Sequence, residues 1–593
     1  MMFNRKHFSG VSSLGNRYLR DYFPYVFIIF IIGLTRFSIL NTFGLYEDDW
    51  AFTGNAITKS FSQNISGITS AFQSFWQGRP LHMTFIIFFA SLGGYLGSLK
   101  ALYIIGFLIL CVNALLLYEL LKKIFEETFV SLIITLFFCV YPADTTFNYL
   151  QHLFGIQTSL LLVLISFHFY FSRYRNISYV WSALSLLTYE SIFLIFSAAP
   201  FFLKTNSKRI TLTHFIKIFI ILTVYATFRK LLKEQRLDEV NIISTLIDVT
   251  RQVSLGPLIS FSTFLSRPVN VVLDANLFDV FIIFSCSILL FFILLMTKES
   301  TEVTLGTGFT RFNKEVLRKY RRFILIGYGM VVLAYPTVIT LSIYETSGRA
   351  SRVHFAAAFG ASLVVGCLWI FFLKLSLSRR LWNKLILLLL SLHLVLLAAF
   401  CINVQYFYKI SWDYQRAFWT DIYRLAPDIE DGTVILVNSP SLQRYGKEIN
   451  PFDWSVPSVL GSIYKFPSDW KKHPRLYLMN SYENDVNPWQ EFIVEDSHLL
   501  LSGKNNSLTY YYAWEPDRIV DSNDSILIEE EDNRLVRRDS IRLGNSLIEF
   551  KTQSKPDSHI ADLTKSILFD ELISYDGDTN NKLSLPIYFK PQR

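Results

Sequence analysis

Three consecutive acids, Glu47, Asp48 and Asp49, stand between Tyr46 and Trp50, directly after the first long apolar run of the chain. Adjacent carboxylates repel one another, so their clustering calls for a use. A carboxylate within hydrogen-bond reach of a hydroxyl is the simplest general base. Asp48 and Asp49 together also offer the oxygen ligands that magnesium or manganese prefers. The structural alternative is that the acids cap a helix beginning near Trp50.

Cations recur at comparable places. Arg79 closes the same polar stretch, in Gly78-Arg79-Pro80-Leu81, where a guanidinium fork suits phosphate or simply snorkels to the membrane interface. Arg349, Arg352 and His354 crowd into Ser347-Gly348-Arg349-Ala350-Ser351-Arg352-Val353-His354, beside a later apolar run. Phosphate binding and anchoring to lipid headgroups both account for such a patch. Arg229 and Lys230 are weaker candidates of the same kind. Glu190, in Leu187-Thr188-Tyr189-Glu190, interrupts an apolar region; an acid there either reaches a wet cavity or pairs with an arginine. Gln151 and His152 follow Tyr141-Pro142-Ala143-Asp144 and read more readily as packed residues than as catalytic ones.

The elements that must hold these residues are membrane helices. Of 593 residues 51% are hydrophobic, 54 are Phe and the mean hydropathy is +0.33, well above soluble composition. Apolar runs fall at 23–40, 80–99, 101–121, 128–141, 155–171, 177–188, 191–203, 211–232, 277–297, 323–341, 354–373 and 385–406. The net charge of +8 is spread in short clusters between them, as cytoplasmic loops require, and this argues against a nucleic-acid partner. Cys111, Cys139, Cys286, Cys367 and Cys401 all lie in apolar runs, which argues against disulfides and a zinc site.

Placing Lys122, Lys123, Arg173, Arg175, Lys204, Lys208, Arg209, the cluster at 311–322, Arg379, Arg380 and Lys384 inside is self-consistent only if one early segment does not cross. The run at 80–99, with Gly93, Gly94 and Gly97, is then interfacial or re-entrant, which leaves about eleven spans. Residues 1–22 are cytoplasmic, and residues 23–406 form the membrane domain with a first external loop at 41–79. The stretch 177–203, basic at both ends, is too short for two full spans, which need about forty residues. It reads as a hairpin turning at Tyr189-Glu190. The stretches 141–154, 229–276, 342–354 and 407–593 fall outside. The last reads as a small mixed α/β domain, with a helix at 417–425 and strands near 432–437, 476–479, 508–514 and 525–529.

This pattern resembles the GT-C glycosyltransferases, and among them the O-antigen-modifying glucosyltransferases of the Gtr kind. The residues that carry the resemblance are Tyr46-Glu47-Asp48-Asp49-Trp50, Gly78-Arg79-Pro80-Leu81 and Leu187-Thr188-Tyr189-Glu190, and it extends to about residue 406. It implies a GT-C-like membrane fold and transfer of a sugar from a polyprenyl-phosphate carrier to a glycan, lipid or protein hydroxyl on the outer face. Asp48 resembles the first acid of the family's pair and is the expected base, with Asp49 as helper or cation ligand. Arg79, Glu190, Arg349, Arg352 and His354 are the expected substrate and phosphate contacts. A flippase of lipid-linked saccharide, or an O-antigen ligase or polymerase, is the alternative. A flippase, however, would carry charges along the midplane and internal symmetry.

Overall fold

The computed structural model describes residues 9–573 except 204–206, 233–241, 306–313, 339–341, 377–379, 440–448, 452–455, 479–491, 496–497, 502–521, 533, 544–545 and 553–562. It is mainly helical. Among the described residues seven helices are long and apolar enough to cross a membrane, and Pro80–Tyr95, Thr128–Cys139 and Glu190–Phe202 are shorter apolar ones. Large apolar side chains face outward along many of them, including Phe219, Phe281 and Leu389, as lipid-facing surfaces do.

Helix α1 (Ser9–Phe37) leads into the acid loop. The polar stretch that follows contains α2 (Phe61–Gln73), which opens with a capping box between Ser60 and Gln63. Next comes α3 (Pro80–Tyr95), with proline at its first turn where a missing N–H costs nothing. Its 16 residues reach about 24 Å, less than the apolar thickness of a bilayer. Helix α4 (Leu99–Phe125) starts on the Ser98 hydroxyl and ends with Lys122 and Lys123 against the negative end of its dipole. Beyond α5 (Thr128–Cys139) and the loop at 140–149, a helix from Leu150 runs through α6 (Gln157–Tyr170).

Helix α7 (Arg175–Thr188) stops at Tyr189, whose backbone is extended. A single turn, Glu190–Phe193, and a 3-10 segment, Leu194–Phe202, then return alongside it, with Phe196 packed on the rings of Tyr179 and Tyr170. The chain thus reverses at Tyr189-Glu190, where the hairpin is expected to turn.

Helices α8 (Lys208–Leu231), α9 (Ile242–Asp274), α10 (Leu277–Leu305) and α11 (Lys314–Leu333) follow. The sequence reads 229–276 as an external polar stretch, but most of it is the 33-residue helix α9. Pro257, Pro268, Arg251 and Arg267 hide its apolar face from a hydropathy window. Phe264 of α9 packs on Phe137 and Tyr141, and its carbonyl meets His393 Nε2 at 2.8 Å, so α9 lies within the helix bundle. The run expected to span 323–341 ends as a helix at Leu333. Where α11 crosses α12 (Ala358–Leu375), a Cβ on Gly360 would stand 2.6 Å from the Gly327 carbonyl oxygen. Only glycine permits backbones so close.

Helix α13 (Arg380–Leu425) is 46 residues long, about 69 Å, and passes residue 406 without a break. It far exceeds a bilayer's apolar thickness and carries the segment 417–425 as its far end. The C-terminal part holds a sheet in which β1 (Val434–Asn438) lies between β2 (Arg475–Leu478) and β3 (Ser525–Glu531), parallel to both. The strand β4 (Arg534–Arg538) is antiparallel to β3. Val434, Ile435, Leu436 and Val437 are all buried, as a central parallel strand demands. The expected strand at 508–514 lies outside the described residues. Arg537 fastens the sheet to the end of α13 through Asp428, at 2.5 and 3.0 Å, and the Leu425 carbonyl. Asp428 is buried, which alone would raise its pKa, but the Arg537 pairing outweighs this and lowers it.

Candidate functional site

The acid loop follows the first membrane-length helix and turns back tightly. The Gly44 N–H donates to the Tyr46 hydroxyl at 3.1 Å, and Tyr103 donates to the Gly44 carbonyl at 2.5 Å. Glu47 takes a left-handed backbone, φ 45°, so that three successive carboxylates fan out in different directions. Beneath them the rings of Tyr46, Tyr149 and Tyr408 stand edge to face.

Asp49 points inward and is fully buried. Its Oδ1 accepts from the Gln151 N–H at 2.9 Å, and its Oδ2 from Leu150 at 3.0 Å and Tyr46 at 3.4 Å. The first two donors are first-turn N–H groups of the helix that begins at Leu150, which have no acceptor within that helix and form the positive end of its dipole. Asp49 therefore caps a distant helix, not the one that follows it; toward Trp50–Gly54 it makes no side-chain cap bond. Burial pushes its pKa up to about 7, against the pull of the three N–H groups.

Asp48 points the other way. Its Oδ1 accepts from Arg349 Nη1 at 2.8 Å and its Oδ2 from Gln151 Nε2 at 2.8 Å, and Arg352 Nη1 stands 3.9 Å from Oδ2. Glu47 accepts from the Tyr149 hydroxyl at 2.6 Å and lies 3.5 Å from the same Arg349 nitrogen. Two acids and two arginines some 300 residues apart in sequence thus form one cluster.

The arginines stand on a 3-10 turn, Arg349–Ala357, which follows Gly348 at φ 62°. Ser351, between them, accepts from the Thr145 N–H at 3.0 Å and approaches Asp144 Oδ1 at 3.5 Å. Asp144 is pushed to a higher pKa, chiefly by burial, and it borders a small pocket of about 40 Å³ also lined by Arg36, Tyr141 and Gln157. His354, on the same turn, is fully buried, with Nδ1 2.8 Å from the Tyr335 hydroxyl and Nε2 3.0 Å from the Ile343 carbonyl. Both ring nitrogens are engaged, so here it braces the turn instead of presenting itself to a ligand.

Arg79 and Glu190, the other expected contacts, pair with each other. The guanidinium meets the carboxylate in a two-pronged bond, Nε to Oε2 at 2.5 Å and Nη2 to Oε1, and lies over the Tyr189 ring. Arg229 packs against Gly78 next to it. His82 lies within electrostatic reach of Arg79, Glu190 and Arg352, and His152 within reach of Arg352, Arg349 and His82. His82 packs on the Tyr189 ring, centroids 5.8 Å apart, and against Gly155, while His152 packs on the Tyr149 ring at 5.3 Å, so the segment 149–155 links the two ion-pair groups.

A divalent cation at Asp48 and Asp49 would have to displace the N–H donors that engage both carboxylates. Among the described residues no group of three or more His, Cys, Asp or Glu is arranged to hold a metal. Tyr149 and His82 escape sequence reasoning as functional groups, and Gln151 is weighed there only as a packed residue. Gln151 and His152 stand out only by lying in the same polar loop as Asp144, and Tyr149 carries no signal. Comparison with protein-family models, curated proteins and solved structures found no match.

Proposed function

We propose that this chain is a GT-C-like integral-membrane glycosyltransferase, of the inverting kind. It moves a sugar from a polyprenyl-phosphate-linked donor to an acceptor hydroxyl at the outer face of the membrane, with Asp48 as general base. The observation that carries this reading is the engagement of one loop carboxylate by two guanidinium groups, Arg349 at 2.8 Å and Arg352 at 3.9 Å, on a chain with membrane-length helices. Sugar transfer from a lipid phosphate needs a base for the entering hydroxyl and fixed positive charge for the departing phosphate.

In the resting arrangement the two functions mask each other. A donor phosphate is drawn to Arg349 and Arg352, takes them from Asp48, and leaves the carboxylate ready for the acceptor proton. Asp49 then acts as the anchor that aims Asp48, and Arg79 with Glu190 borders the donor's path. Transfer of labelled sugar from a synthetic polyprenyl-phosphate donor by purified protein tests the assignment. Asp48→Asn is expected to lower the rate at least about a hundredfold with the melting temperature retained; undiminished transfer by a folded Asp48→Asn protein would falsify the mechanism.

A further inference from the structure

We propose that Gln415 is a positioning residue for the acid loop, so that the aim of Asp48 is set from the part of α13 that lies beyond the apolar runs. The inference rests on the glycosyltransferase reading for its catalytic consequence, although its geometric basis does not. The Gln415 side chain is 1% exposed. Its Oε1 accepts from the Trp50 indole N–H at 2.8 Å, and its Nε2 donates to the Leu45 carbonyl at 3.0 Å. Those partners stand immediately before and after the segment Tyr46-Glu47-Asp48-Asp49, so a single amide ties both ends of the acid loop.

Trp412 lies one turn earlier, on the same face of the helix. Its ring stacks on Trp50, with centroids 6.2 Å apart, and covers Gly44 so closely that a Cβ there would stand 1.9 Å from the indole. On the far side Tyr149 and Gln151 hold the Glu47 and Asp48 carboxylates, and the Leu150 and Gln151 N–H groups hold Asp49. The two sets of contacts do different work. The 149–151 contacts hold carboxylates, whereas Gln415 and Trp412 hold the frame that carries them. Water does not reach either partner of Gln415, so losing the amide leaves a buried N–H and C=O unmet. A site whose groups must lie within about 0.5 Å of their working positions feels such a loss. Gln415 is bonded to neither Asp48 nor the arginines, so it acts only through the loop.

The test uses full-length protein with Gln415→Leu, Gln415→Glu and Trp50→Phe, read by transfer kinetics and by hydrogen exchange of peptides covering 43–52. Gln415→Leu is expected to lower kcat about tenfold or more, with the KM for donor changed less than about twofold, and to speed exchange in 43–52 while α4 exchanges as before. Gln415→Glu keeps an acceptor for the indole and should restore part of both. Adding Trp50→Phe to Gln415→Leu should cost less than the sum of the two single losses, because both remove the Gln415–Trp50 bond.

The proposal fails if Gln415→Leu leaves exchange in 43–52 unchanged, if exchange loosens equally throughout the chain, or if the loop loosens with kcat intact. Should Gln415→Leu not fold, the same readings are taken on Gln415→Glu and Trp50→Phe, where unchanged loop exchange and kcat in both overturn it. If wild-type protein transfers no sugar, the glycosyltransferase reading falls by itself. Local loosening of 43–52 would then still support Gln415 as the loop's clamp, and its absence would remove that too.

Discussion

Asp49 and Asp48 are chemically the same residue with opposite fates, and the difference lies in which side of the loop each faces. Asp49 turns toward the buried N–H groups at Leu150 and Gln151, and its folded pKa of about 7 stands above the 3.8 of a free aspartate. The folded state therefore binds the proton more tightly than the unfolded chain. Its stabilising effect is full below about pH 4 and is lost as pH rises toward 7, by an amount on the order of a few kcal/mol. The melting temperature of wild-type protein in detergent, relative to Asp49→Asn, should accordingly fall between pH 5 and pH 7.5. A difference that stays constant with pH would mean that Asp49 does not titrate in this window.

At this scale the sequence revealed charges better than it revealed their partners. Acids and arginines in polar loops beside apolar runs stand out because burying them is expensive, so Asp48, Arg79, Arg349 and Arg352 were legible as candidates. Their pairing was not. Which arginine meets which acid depends on contacts across some 300 residues, and Gln151, Tyr149 and Gln415 look like ordinary polar residues until the chain is folded. His354 had the right chemistry in the right turn, yet it is consumed by Tyr335 and Ile343.

Among the elements, the short hairpin was legible from arithmetic because 27 residues cannot cross twice. The Arg79–Glu190 bond is what secures it, joining the start of α3 to the break at Tyr189. Side-chain exposures of 18% and 13% make this a largely desolvated pair, so removing either partner leaves a poorly solvated charge. Arg79→Met or Glu190→Leu alone should destabilise by about 3 kcal/mol, and the double substitution by less than the sum. Thermal melting of the three variants checks this, and strictly additive losses would rule out a coupled pair. Helix α9 was illegible for the opposite reason. Two prolines and several charged residues lower its mean hydropathy, while the face that packs on α13 is visible only once α13 is in place.

For the whole molecule, the proposed function requires one orientation, with the acid loop and the C-terminal sheet outside. Single cysteines test this in a Cys286→Ser background, because Cys286 is the exposed native cysteine. In intact cells an impermeant thiol reagent should leave a cysteine at Lys123 unlabelled and should label one at Lys472. Ready labelling at Lys123 would invert or rearrange the topology.

The continuity of α13 has a mechanical consequence. A helix that begins in the apolar layer and ends under the sheet is a ruler, with its phase locked to its length. Each residue added between the membrane and Trp412 would lift everything beyond by about 1.5 Å and turn it by about 100°. Trp412 and Gln415 would be carried around the helix and away from Gly44, Leu45 and Trp50. The distance of the acid loop along the helix and the angle at which it is gripped are thus two readings of the same scale, and neither can drift without the other.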